Sequence, residues 1–216
     1  MPIAIVRSVH VGRAAPLGPQ NVPSGFLKHA VEGIVAVGDL GLSGDEQADL
    51  RVHGGPDKAV YGYAITHYDA WRHDFPEHAG VFGPGSLGEN LAIHGVDEAD
   101  ICIGDIHAIG TTQLEVCQPR QPCFKLALRF DDERLPLAMV MNGRSGWYYR
   151  TLQTGGLSAG DSIALKDRPN PDFPLSRLVE ILHRRNGTRE EFVRLAEMAA
   201  LAAVLRNLFQ ALVARP

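Results

Sequence analysis

The segment ICIGDIHAIGTTQLEVC, Ile101–Cys117, sets isoleucine at 101, 103, 106 and 109 around a Gly104-Asp105 turn and then runs into the alternating stretch from Gln113 to Cys117. Short alternating apolar runs punctuated by glycine carry the period of half-buried strands rather than helices. The pattern recurs outward from this segment, in Ile3 to His10, Gly33 to Val37 and Ala59 to Ile65 upstream, and in Ser162 to Leu165 downstream. Glycine or proline stands in nearly every gap. Many short strands joined by turns predict a mainly β fold over residues 1–166, a barrel or a sandwich. Few helices are expected there. Thr66 to Arg72 starts one with Thr66 as N-cap. Phe124 to Phe130, apolar at 124, 126, 128 and 130, leaves helix and strand open, and Pro122 favours a short helix.

The character changes over residues 167–175, where three prolines in a polar stretch read as a linker or an extended arm. Residues 176–216 are helical in pattern. Ser176 is positioned to cap Arg177 to His183, Asn186-Gly187 supplies a stop, and Thr188-Arg189-Glu190-Glu191 matches a capping box. Phe192, Leu195, Ala196 and Ala199 share one face. A third apolar-striped helix is expected within Leu201–Val213, after a break near residues 199–202. An appendage of about 40 residues rarely stands alone, so it is expected to dock on the β unit or on a second subunit, which leaves a homodimer open.

The 216 residues are 45% hydrophobic and 21% charged, with a net charge of −4. Such a chain buries a core without disulfide staples. The charge balance argues against a nucleic-acid polymer as partner. Three cysteines, an odd number, favour a reducing compartment. No apolar run approaches the ~20 residues that span a bilayer, and the first ten residues carry no signal pattern. The expected location is therefore the cytoplasm, with no membrane partner.

The densest chemistry lies in Cys117-Gln118-Pro119-Arg120-Gln121-Pro122-Cys123-Phe124-Lys125. Two prolines fix the backbone around Arg120 and hold Cys123 in place. The flanking Arg120 and Lys125 favour a thiolate, which is both nucleophile and soft metal ligand. Cys123 as a small buried hydrophobe is the competing reading; Cys102 and Cys117 fit strand positions and read as core. In His53-Gly54-Gly55-Pro56-Asp57-Lys58, two glycines let the backbone approach a ligand, and Lys58 beside backbone N–H groups suits phosphate. An ordinary tight turn stays open there. Glu89 and Asn90, after Gly88, offer polar contacts to a ring or form a surface turn. Arg144, in a loop leading to Trp147-Tyr148-Tyr149, suits a phosphate beside a flat ring, or merely precedes a buried aromatic strand. No paired zinc ligands, Walker loop, dinucleotide fingerprint or flavin motif occurs in the sequence, so zinc, NAD and flavin are not expected.

Taken in order, Gly44-Asp45, Gln47 and Asp49, His53-Gly54-Gly55, Asp57-Lys58-Ala59-Val60, Gly88-Glu89-Asn90, Gly104-Asp105 and Gln118-Pro119-Arg120 with Pro122-Cys123 form a set. That set resembles the MOSC family, the domain named after the C-terminus of molybdenum-cofactor sulfurase. The linker and helical tail look like the small C-terminal domain of its stand-alone bacterial branch, which is associated with detoxifying hydroxylaminopurine and similar N-hydroxylated bases. The resemblance covers nearly the whole chain. It implies a β-barrel, a molybdenum cofactor whose pterin is bound by the protein, and Cys123 as the molybdenum ligand. The implied reaction is two-electron reduction of an N–OH group with loss of water. Lys58, Arg120 and Arg144, with Gly54 and Gly55, then fall to the cofactor phosphate, and Glu89, Asn90, Asp57 and His53 to reading the pterin or ordering the metal site. His53 or Asp57 would supply the proton, a choice the sequence leaves open. With no flavin, haem or iron–sulfur motif, electrons are expected from a separate donor protein. A carrier of cofactor, or of persulfide sulfur on Cys123, is the alternative, and an inert barrel with a dimerising tail is the third reading.

Overall fold

The computed structural model describes residues 1–49 and 54–215. In chain order the strands are β1 (Pro2–Val11), β2 (Ala15–Leu17), β3 (Val22–Ser24), β4 (His29–Val31), β5 (Val35–Gly38), β6 (Gly41–Leu42), β7 (Val60–Ala64), β8 (Leu91–His94), β9 (Ile106–Ile109), β10 (Thr112–Pro119), β11 (Trp147–Gln153), β12 (Gly155–Leu157) and β13 (Ser162–Asp167). The helices are α1 (Thr66–Asp74), α2 (Phe124–Phe130), α3 (Arg134–Asn142), α4 (Leu175–Arg184), α5 (Arg189–Glu197) and α6 (Ala203–Val213).

Seven strands close a barrel in the order β13-β9-β10-β11-β7-β8-β1, with β1 returning to pair with β13 and β4 added beside β1. All of these pairs are antiparallel except β7–β8. The chain is thus mainly β, as expected.

Strand β7 shows how the core is divided. All five of its residues are buried. Val60 and Ala64 face the barrel interior with Ile93, Val116 and Trp147. Tyr61 and Tyr63, on the alternate face, join Trp71, Phe82, Leu126 and Met139 in a second cluster roofed by α1, α2 and α3. The two-residue period of a strand thereby feeds two cores at once.

Several local expectations are revised. Only Ile106–Ile109 of the Ile101–Ile109 run is a strand, whereas Ile101 and Ile103 enter the barrel core from a loop. Thr66 is the first helical residue of α1 and caps nothing; Ile65 is the N-cap. Ser176 lies inside α4, which begins after Pro174 and stops at left-handed Arg185 (φ 53°) rather than at Gly187. The capping box at Thr188 and Glu191 is present as read. Helix α3 has no counterpart in the sequence reading; Pro136 lies in its first turn, where a proline forfeits no helical hydrogen bond.

The tail shares the barrel's core. Leu175, Leu178, Ile181, Leu195, Leu201, Leu205 and Phe209 belong to the same buried cluster as Ile101, Ile109 and Val116. The proline-rich arm is docked rather than free. Leu175 N–H donates to Ile101 C=O at 2.9 Å, and Asn170 Nδ2 donates to Ile103 C=O at 2.9 Å. Arg168 binds both carboxylate oxygens of buried Asp105, at 2.8 and 2.6 Å. Gly104 (φ +90°) makes this seat possible, because a Cβ there would stand 2.8 Å from Pro169 and 3.0 Å from Ala200. Among the described residues, no helix is long and apolar enough to cross a membrane.

Candidate functional site

Strand β10 ends at Pro119, and Arg120-Gln121-Pro122 ramps the chain to Cys123. That residue is extended (φ −130°, ψ 170°), immediately precedes α2, and accepts the Leu126 N–H at 3.0 Å on its carbonyl. Cys123 is half-buried, whereas Cys102 and Cys117 are buried. It lines a cleft with about 640 Å³ of empty space, open to solvent. Phe26, Tyr61 and Tyr148 supply aromatic wall. Lys28, Lys58, Arg120 and Lys125 line the same space.

Each cation is held by the fold. Arg120 is buried, with its guanidinium 5.3 Å from the Phe26 ring centre and 5.2 Å from that of Tyr61. It donates to the Tyr61 hydroxyl at 3.4 Å, and no carboxylate among the described residues is bonded to it. Lys28 pairs with Asp45, both nearly buried. Asp45 also accepts from Gly12 N–H at 2.9 Å and from Asn90 Nδ2 at 2.9 Å. Burial outweighs Asp45's attraction and pulls the Lys28 pKa below its ordinary value. Lys125 donates to Pro23 C=O at 3.0 Å. Burial also lowers the Lys58 pKa, against the pull of Cys123 and Asp57. Lys58 and Arg120 both lie within electrostatic reach of Cys123. Among its described lining residues, four cations stand against two acids, Asp45 and Glu46, which leaves the cleft positive on balance.

The sequence matches the MOSC domain family over residues 49–164, a span holding Lys58, Arg120 and Cys123. The chain belongs to the MOSC domain family. This MOSC chain is 36% identical over 184 residues to Protein YiiM of Escherichia coli, covering 85% of this chain and 82% of that one. A protein from Gibberella moniliformis named "Reductase" is 37% identical over 167 residues, covering 77% of this chain but 30% of its own length. The crystal structure of YiiM from Geobacillus stearothermophilus superposes with a TM-score of 0.82 at 31% identity, covering 98% of this chain and all of that one.

Of the residues singled out in this MOSC sequence, Cys123, Arg120, Lys58 and Asn90 line the cleft. Asn90 is framework as well as lining: its Oδ1 accepts from Tyr61 N–H at 3.0 Å and its Nδ2 donates to His10 C=O at 3.1 Å and to Asp45. Glu89 does not reach the cleft. It is wholly buried and accepts from the Tyr68 hydroxyl, from Gly85 N–H at 2.5 Å and from Leu87 N–H at 3.0 Å. Burial pushes its pKa up. It shapes the 85–89 turn rather than reading a ring. Arg144 lies elsewhere, bonded to Asp74 at 2.6 Å and stacked on Trp71, where it lines a second cleft with His67 and His183.

Gly55 (φ +92°) turns the chain into the short 3-10 turn Pro56–Lys58, and neither it nor Gly54 lines the cleft. A Cβ on Gly55 would meet nothing within 4 Å, so its backbone angle is what calls for glycine. Asp57 also faces away, its carboxylate taking Arg150 at 2.6 Å and the Ala203 N–H at 2.9 Å. His53 lies outside the described residues. Sequence reasoning overlooked Lys28 and Phe26, which stand about a hundred residues before Cys123 in a segment with no motif of its own. Glu77, His78 and Asp132 form a cluster of possible cation ligands, already crossed by Arg134, which bonds both acids.

Proposed function

We propose that this cleft binds the molybdenum cofactor and that the protein reduces N-hydroxylated compounds with it. The observation that carries the reading is a single accessible thiol, Cys123, set among four cations and an aromatic wall in one cleft. The donor set fits the group: a soft thiolate for the metal, lysines and an arginine for a phosphate, and Phe26, Tyr61 and Tyr148 for a flat pterin. When bound, the cofactor supplies a metal centre that accepts and delivers two electrons. The overall change is R–NHOH plus two electrons and two protons giving R–NH2 and water. The N–O bond breaks, and the electrons come from a separate donor protein.

The chain's own residues do the rest. Arg120, fixed between two rings, presents its donors to the anionic ligand without reorganising. Lys28 and Lys125 add positive charge deeper among buried neighbours. Lys58 lines the cleft near Cys123, and its lowered pKa makes its ammonium a readier proton donor to a departing hydroxyl than an ordinary lysine. Asp57, engaged by Arg150 and the tail, is not placed for that step.

The decisive measurement is molybdenum and pterin content of wild type and Cys123→Ala, both purified from a host that makes the cofactor. Near-stoichiometric metal in wild type that is absent from the variant is expected. Metal retained by Cys123→Ala would overturn the ligand assignment. Turnover of a hydroxylamine with an artificial electron donor then separates a reductase from a carrier, which would hold cofactor without turnover.

A further inference from the structure

Asp57 joins three parts of the molecule. Its Oδ1 takes Arg150 of β11 at 2.8 Å through Nε and 2.6 Å through Nη2. Its Oδ2 accepts the N–H of Ala203, the first residue of α6. Its backbone carbonyl accepts Gln118 Nε2 at 2.7 Å and the Cys117 thiol at 3.2 Å, both on β10 just before the Cys123 ramp. One residue on, Lys58 enters the cleft. The tail also bonds β10 directly, through Ala202 N–H to Cys117 C=O at 3.0 Å.

Helix α6 lacks a cap of its own. Its N-cap is Ala202, whose side chain cannot accept a hydrogen bond. Asp57, 146 positions earlier, satisfies the exposed N–H from across the fold. A carboxylate at that helix end is also favoured by the helix dipole. The bond therefore ties the start of α6 to the turn that delivers Lys58.

We propose that the helical tail is part of the cleft's machinery and that Asp57 is a positioning residue, holding Lys58 in place by anchoring its turn to the first N–H of α6 and to Arg150. This rests on the reading of the cleft as an anion site. It assigns the tail a role in ligand binding, beyond completing the core.

The test uses the full-length protein and inorganic phosphate as probe, with affinity read by calorimetry or by chemical-shift titration. Ala203→Pro cuts the link from the tail's side without touching the cleft. Proline is well tolerated at the first helical position, and Ala202 already holds the extended ψ of 136° that a following proline prefers. Asp57→Asn cuts it from the other side. Lys58→Gln removes the positioned group.

Each cut is expected to weaken phosphate binding by about three- to tenfold in the wild-type background, in the range of couplings carried through a supporting residue. In the Lys58→Gln background neither cut should weaken it further. Far-UV circular dichroism and the thermal midpoint check folding, and Asp57→Asn decides if Ala203→Pro does not fold. If Lys58→Gln weakens phosphate binding but the two cuts leave it at the wild-type value, or still weaken it when Lys58 is absent, the positioning role is overturned and the anion site stands. If Lys58→Gln itself leaves binding unchanged, this inference fails while the anion site rests on Lys28, Arg120 and Lys125; no phosphate binding by the wild type would overturn the anion-site reading as well.

Discussion

Arg120 shows most clearly what a single residue does here. Its guanidinium lies between the faces of Phe26 and Tyr61, an arrangement that uses its planarity as well as its charge. Lysine keeps the charge but cannot stack as a plane. On the proposed reading of the cleft as a pterin site, Arg120→Lys is expected to fold and yet to hold well below the wild-type pterin content in purified protein; full retention would show that charge alone suffices. Asp105 is a second case. Burial by itself would raise its pKa, but His107, Arg168 and the Cys102 N–H bring it below the ordinary carboxylate value of 3.8. The folded form thus binds this proton less readily than the unfolded chain. Its contribution is fully present above pH 3.8 and is lost as pH falls through the lower folded value. Asp105→Asn should flatten the acid limb of the stability curve, measured as thermal midpoint against pH. An unchanged limb would place the acid sensitivity elsewhere.

At the scale of elements, the capping box of α5 invites a direct measurement. Thr188 Oγ1 accepts the Glu191 N–H at 3.2 Å, and Glu191 accepts the Thr188 N–H at 2.8 Å while binding Arg177 of α4 at 2.6 and 2.9 Å. Thr188→Ala should lower stability by about 1 kcal/mol, the usual worth of an N-cap, read by chemical denaturation. The hydrogen bonds from Arg177 bring the Glu191 pKa down to about 2, so the grip between α4 and α5 is fully present above the ordinary value near 4.5 and loosens as pH falls toward about 2. This box was legible because both of its members lie within four residues. Asp57's cap on α6 was not, since its partner is 146 positions away and no local pattern marks it. Glu89 misled for a related reason. A polar residue after glycine reads as exposed, while its three donors come from a helix and a turn that only the fold brings around it. Cys123 was legible because prolines and cations surround it within the chain itself.

Barrel and tail share one core. Leu178, Leu201 and Phe209 of the tail pack into the cluster that holds Ile101, Ile109 and Val116. Leu178→Ala is therefore expected to destabilise the entire chain by about 2–5 kcal/mol, as for other buried leucines. Calorimetry should show one transition moved to lower temperature. Two separated transitions would instead mean that the tail melts on its own. The division into a β unit and a helical appendage was readable from residue periodicity. Their merger was not, because apolar stripes state that a face is buried without naming what buries it.

The barrel closes by pairing Pro2–Ile5 of β1 with Ser162–Ala164 of β13. During synthesis the first of these segments must wait for the last. At roughly 5–20 residues per second, the intervening chain takes on the order of ten seconds to emerge. Through that interval Pro2, Ile3, Ala4 and Ile5 offer an unsatisfied apolar edge to any passing strand. Strand β1 is thus open to mispairing until β13 arrives, and a chaperone that shields Pro2–Ile5 should raise the yield of folded protein more than one that binds the helical tail.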